Sequence, residues 1–117
     1  MLLALMPLTE REALLDRLEL RQFTGQTLTD RKTISAELDI VAREGIAHDP
    51  GELDPDVRCI AVAVHDFSGR PAAALGISGP AWRMAGAQLA GKRELLHEAA
   101  QELSSRLGAS GQGQAGR

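Results

Sequence analysis

Five residues between positions 48 and 78 carry side chains that could do chemistry: His48, Asp49, Cys59, His65 and Ser78. A thiolate beside an imidazole or a carboxylate is the pattern of a nucleophile with its base. Cys59 and His65 would share one face of a strand. At roughly 3.3 Å per residue, however, they stand about 20 Å apart, too far for a hydrogen bond. Cys59 with His48 or Asp49 stays geometrically open, so a small thiol- or metal-dependent enzyme is one reading. His48, Asp49, Cys59 and His65 could together approach a metal, but their spacing matches no established ligand pattern. Against both stands the plain reading that a lone cysteine is a small hydrophobe. His97 reads as a solvated helix residue and Trp82 as a packing anchor at a helix entry.

Two motif matches fail on context. Gly76-Ile77-Ser78-Gly79-Pro80 resembles a nucleophile elbow, but that turn needs glycines two before and two after the serine, and position 80 is proline. Gly111 to Gly116 spells G-x-G-x-x-G, yet it follows a helical stretch and nothing helical follows it. That context excludes a dinucleotide site.

The elements that must position these residues are legible in outline. Thr9 to Glu12 forms a capping-box pattern, predicting a helix from Thr9 to about Leu18 with Ala13, Leu14 and Leu18 on its inner face. Residues 19–28 read as a connection. Thr29 or Asp30 caps a second helix with Ile34, Leu38 and Val41 at helical spacing, and Gly45 stands where a left-handed helix stop belongs. His48 to Asp56 is a Pro/Gly-broken loop with four carboxylates and no Lys or Arg. A strand over Val57–His65, a turn over Asp66–Arg70 and a strand over Pro71–Ser78 make a hairpin. A long helix from about Ala85 to Leu107 places Leu89, Leu96, Ala100, Leu103 and Leu107 on one side, and residues 109–117 read as a flexible tail.

Alternation along the hairpin separates two unlike faces. Ile60, Val62 and Val64 share a side with Ala73, Leu75 and Ile77, suited to pack against helices. Cys59, Ala61, Ala63 and His65 share the other with Ala72, Ala74, Gly76 and Ser78. Such small side chains permit either close approach of a helix backbone or a pocket with a few polar groups. The acidic loop that runs into Cys59 could bring a carboxylate to the mouth of that face.

Composition bounds the fold. Of 117 residues, 17 are Leu and 18 Ala, while Tyr is absent, which excludes an all-β sandwich. No apolar run approaches the roughly 18 residues of a membrane span. A net charge of −3 gives no general attraction to nucleic acid. One cysteine cannot form an internal disulfide, and the apolar start lacks a basic region and cleavage site, so a reducing cytoplasm is expected. The apolar beginning, with no cap before it, reads as a chain that starts inside an element.

From Phe23 to Gly108 the order of features resembles the C-terminal effector-binding domain of the IclR family of bacterial transcription regulators. The likeness rests on Thr29-Asp30, on Gly45 to Asp49, on Arg58-Cys59-Ile60-Ala61 and on Gly76 to Pro80, all in family order and spacing. Leu2 to Pro7 and the helix after it resemble the segment that precedes this region.

The resemblance implies a GAF/PAS-like α/β (α+β) domain over residues 1–108, incomplete at the N-terminus. Its antiparallel sheet would carry helices on one face and a ligand pocket on the small-residue face. Asp49, Cys59, Ala61, Gly76 and Ser78 would bind a small organic or aromatic acid effector. DNA would be bound only through a missing N-terminal winged helix-turn-helix, in a homodimer or tetramer, with no cofactor, no catalysis and no membrane contact. Two departures stand out: Gly76 replaces a common serine, widening the pocket, and Ile46 replaces the family's tyrosine.

Overall fold

The computed structural model describes residues 1–110, so the expected tail lies largely outside the described residues. A 3-10 turn at Leu3–Leu5 leads into helix α1 (Leu8–Arg17) and, after a connection, helix α2 (Arg31–Glu44). Strands β1 (Ile46–Asp49), β2 (Val57–His65) and β3 (Pro71–Pro80) follow. A second 3-10 turn at Ala81–Arg83 opens into helix α3 (Gly86–Arg106).

The three strands form one antiparallel sheet in the order β1-β2-β3. Its register lays Ile46, Val62 and Leu75 in one cross-strand row, with His48, Ile60 and Ile77 in the next but one. This is the branched face, and α3 covers it. Ile46, Ile60, Val62 and Val64 are buried there with Met84, Leu96 and Ala100. Each branched side chain taken out of water this way contributes roughly 1.5–3 kcal/mol.

The helices divide between the two faces. On the opposite side Ala47 packs against a second cluster, in which Ala4, Leu15, Leu38 and Val41 are buried. The N-terminal turn, α1 and α2 therefore cover the β1 side of the small-residue face. Along β3 that face stays open: Ala74, Gly76 and Ser78 are exposed.

Local expectations met mixed outcomes. Strand β2 and the Gly69 turn fall as predicted, with Gly69 at φ 79°. Asp30 is the N-cap of α2, and Gly45 ends that helix at φ 77°. Strand β1 is a correction: His48 and Asp49, expected in the loop, are paired with β2 together with Ile46 and Ala47, and four residues are too few to show alternation in the sequence.

The capping box at Thr9 does not form. Pro7 occupies the N-cap, its carbonyl accepting from the Arg11 amide at 2.9 Å, so Thr9 lies inside the helix. The proline ring presets the entry dihedral and places the N-cap two residues earlier than the capping box. The buried side of α1 is Arg11 and Leu15 rather than Ala13, Leu14 and Leu18, because the Arg11 guanidinium reaches Asp39 of α2 at 2.7 Å.

Along α3 the inner stripe is Leu89, Leu96, Ala100 and Ser104, while Leu103 and Leu107 are exposed. Ser104 earns its interior position through a hydrogen bond. The His65 amide donates to its Oγ at 3.0 Å, beside the register shift between Val64 and His65.

Candidate functional site

Strand register brings three of the predicted site residues into line. Asp49 pairs with Cys59 and Cys59 with Ser78, so all three project from the small-residue face in one row across the sheet. Two residues along the strands, Ala47, Ala61 and Gly76 form a parallel row. Pairing across antiparallel strands holds facing side chains within about 5.5 Å of one another.

Within the row, Cys59 Sγ lies 2.9 Å from Ser78 Oγ, and the half-buried thiol adjoins an exposed hydroxyl. Asp49 Oδ1 accepts from the Gly51 amide at 3.1 Å and the Glu52 amide at 2.7 Å. That carboxylate therefore organises the start of its own loop. At Gly76 a Cβ would come within 3.0 Å of the Ile60 carbonyl oxygen, so glycine is what lets the strands approach here and leaves the surface flat.

Of the two partners the enzymatic alternative offers Cys59, Asp49 stands in register with it but has its Oδ1 taken by the Gly51 and Glu52 amides, and His48 is turned away. His48 pairs with Ile60 and so belongs to the opposite face from Cys59. Among the described residues no group of three or more His, Cys, Asp or Glu is placed to hold a metal. No helix of the described residues is long and apolar enough to cross a membrane.

Hollows border the row rather than enclose it. One of about 80 Å³ reaches Asp49 and Cys59 from the Arg58 and Met84 side. Another, of about 270 Å³, lies between Asp49, Glu52 and the connection residues Phe23 and Thr27. A larger one, of about 680 Å³, sits at the far end of the small face, between Leu2, Met6, Arg70 and Ala72.

Sequence reasoning treated residues 19–28 as a plain connection and missed what they do. Thr24 Oγ1 donates to the Gly51 carbonyl at 2.6 Å, and Thr27 Oγ1 donates to the Glu52 carbonyl. The available signal was the Thr24-x-x-Thr27 spacing, since threonine hydroxyls readily bond nearby backbone in turns. Glu52, one of the four loop carboxylates, borders the same contact. Burial pushes its carboxyl above the usual range, and the neighbouring carboxylates of Asp49 and Glu37 push it further the same way.

Comparison with known proteins agrees with this architecture. The family model described as the bacterial transcriptional regulator IclR C-terminal domain matches residues 1–105. The chain is 38% identical over 91 residues to the HTH-type transcriptional regulator BhcR of Paracoccus denitrificans, covering 78% of this chain and 33% of that regulator. The C-terminal domain of the Escherichia coli transcriptional regulator KdgR superposes with a TM-score of 0.85 at 34% identity, over 92% of this chain and 65% of that one.

An Acinetobacter structure, the inducer-binding domain of a PobR double mutant in complex with 3-hydroxybenzoic acid, superposes with a TM-score of 0.81 at 27% identity. It covers 88% of this chain and 59% of that one. The chain thus spans about a third of the length of the curated relative it matches at 38% identity. These relatives are named as transcriptional regulators. The chain belongs to the IclR family of bacterial transcriptional regulators, as part of their C-terminal effector-binding domain.

Proposed function

We propose that this chain is the sensing portion, over residues 1–108, of a longer cytoplasmic regulator. A small organic or aromatic acid would lie on the small-residue face against Asp49, Cys59, Ala61, Gly76 and Ser78. The observation that carries this reading is the Cys59–Ser78 pair, 2.9 Å apart, in register with Asp49 on a face otherwise lined by alanine and glycine. Ser78 would donate its hydroxyl to a ligand oxygen, and Ala61 and Gly76 would leave room for a ring or short chain. Asp49 forms one wall, with the negative charge on its Oδ1 offset by two amide donors. PobR, bound to 3-hydroxybenzoic acid, supports an aromatic acid as one candidate class.

In the whole regulator, effector binding would shift the geometry of a homodimer or tetramer and so move DNA-binding heads carried on another part of the polypeptide. This portion has 13 basic against 16 acidic residues and would not bind DNA by itself.

A thermal-shift series with carboxylic acids from acetate to 3-hydroxybenzoate tests the reading. A ligand at about 100 times its Kd should stabilise the fold by about 2.7 kcal/mol. Ser78→Leu, projecting from an exposed position, should abolish that gain without lowering the melting point of the free chain. Equal stabilisation of wild type and Ser78→Leu would place the ligand elsewhere.

A further inference from the structure

The segment between α1 and α2 grips the loop before β2 with two hydroxyls, and each of them works in both directions. Thr27 Oγ1 accepts from the Phe23 and Thr24 amides at 3.1 and 2.9 Å while donating to the Glu52 carbonyl. Thr24 Oγ1 accepts from the Gln26 amide at 3.0 Å while donating to the Gly51 carbonyl at 2.6 Å. On the loop side, the amides of Gly51 and Glu52 are already held by Asp49 Oδ1. Both residues are thus clamped through N–H by Asp49 and through C=O by the threonines.

We propose that Thr24 and Thr27 are positioning residues that set the place of the Asp49 carboxylate beside the Cys59–Ser78 row. The inference rests on the sensing role proposed for that row. The loop has reason to need an outside clamp. It carries Asp49, Glu52, Asp54 and Asp56 with no cation of its own, and Glu37 of α2 adds a further negative charge against Glu52. Like charges at such spacing push the loop apart, and a carbonyl held by a hydroxyl resists that push without adding charge. Water alone could satisfy these carbonyls, but it would not fix their position.

The test uses the full 117-residue chain with Thr24→Val/Thr27→Val, which keeps side-chain volume and removes both hydroxyls, and with Thr24→Ser/Thr27→Ser, which restores them. Amide hydrogen exchange is read at Gly51 and Glu52 and, as an internal reference, at Val62, Val64 and Leu96. The valine variant should exchange about tenfold faster at Gly51 and Glu52 only, with wild-type protection returning in the serine variant. Unchanged exchange at those two amides would overturn the proposal. So would an equal rise at the reference amides, which would mark a general structural role; the single Thr27→Val variant repeats the test with a smaller perturbation.

In a second arm, 3-hydroxybenzoate should bind the valine variant about tenfold more weakly and the serine variant as the wild type. Local loosening with unaltered binding overturns the positioning role. A wild-type chain that binds no acid refutes the sensing role, while a local exchange response still supports the clamp on Asp49.

Discussion

Two loops flank β2, and they are built with the same local device to different ends. Each opens on an aspartate whose Oδ1 accepts amides further along, Asp49 from Gly51 and Glu52, Asp66 from Ser68 and Arg70. Each also holds a glycine at positive φ, Gly51 at 101° and Gly69 at 79°. The hairpin turn then closes on itself: the Asp66 amide donates to the Arg70 carbonyl at 2.9 Å and the Gly69 amide to the Asp66 carbonyl at 3.0 Å. The loop before β2 instead takes bonds from Thr24 and Thr27, more than twenty residues upstream. A short turn that joins paired strands needs no outside help. A longer loop whose charges are all acidic, at the edge of the candidate site, does.

The largest expected effect is at the glycines. A Cβ on Gly51 would meet Pro55 Cα at 3.2 Å and the Asp54 and Pro55 carbonyl oxygens at 3.3 Å, at a φ that L-residues rarely adopt. Around Gly69 nothing lies within 4 Å. Gly51→Ala should therefore cost about 2–3 kcal/mol in urea unfolding, and Gly69→Ala about 1 kcal/mol. Equal costs would mean that the acidic loop is as free to adjust as the hairpin turn.

A smaller effect should separate the aspartates. Asp49→Ala strips an acceptor from two half-buried amides and should cost about 1–2 kcal/mol, with Asp49→Asn recovering most of it. Asp66→Ala leaves its amides open to water and should cost less. If Asp66→Ala proves the more damaging in the same urea titration, the contrast between a held loop and a free turn fails.

The hairpin turn was legible in the sequence and the clamp was not, for a reason these two loops make plain. Asp66-Phe67-Ser68-Gly69-Arg70 holds within five residues every group that its bonds use. Likewise the period-two pattern of β2 and β3 sorts residues by face without knowledge of the rest of the chain, so the shared face of Cys59 and Ser78 could be read in advance, though not their pairing. Asp49 joined that row only through β1, a strand too short to announce itself. Arg11 with Asp39 and Ser104 with the His65 amide are contacts between distant segments, and each overruled a local helix pattern. The threonine clamp is of the same kind: its spacing was visible, but its target was not.

The smallest effects are electrostatic and should differ in sign. Hydrogen bonding from Ser68 holds the Asp66 carboxyl below its ordinary range, so its stabilising contribution is present above its unfolded pKa and is lost as pH falls through the lower folded value. Desolvation, with Asp49 and Glu37 nearby, holds Glu52 above its ordinary value of 4.5, so its contribution is present at low pH and is lost as pH rises through the raised folded value. Ionised Glu52 thus works against the fold at neutral pH, where ionised Asp66 supports it. Melting curves at pH 3–8 should show Glu52→Gln raising the melting temperature near pH 7, with the gain fading as pH falls through the raised folded value and gone below about 4.5. Asp66→Asn, which keeps the acceptor oxygen but drops the charge, should lower it near pH 7, with the loss fading only in stronger acid. Shifts of the same sign for both variants would show that the two loops respond to charge alike, and that the clamp on the acidic loop has no repulsion to oppose.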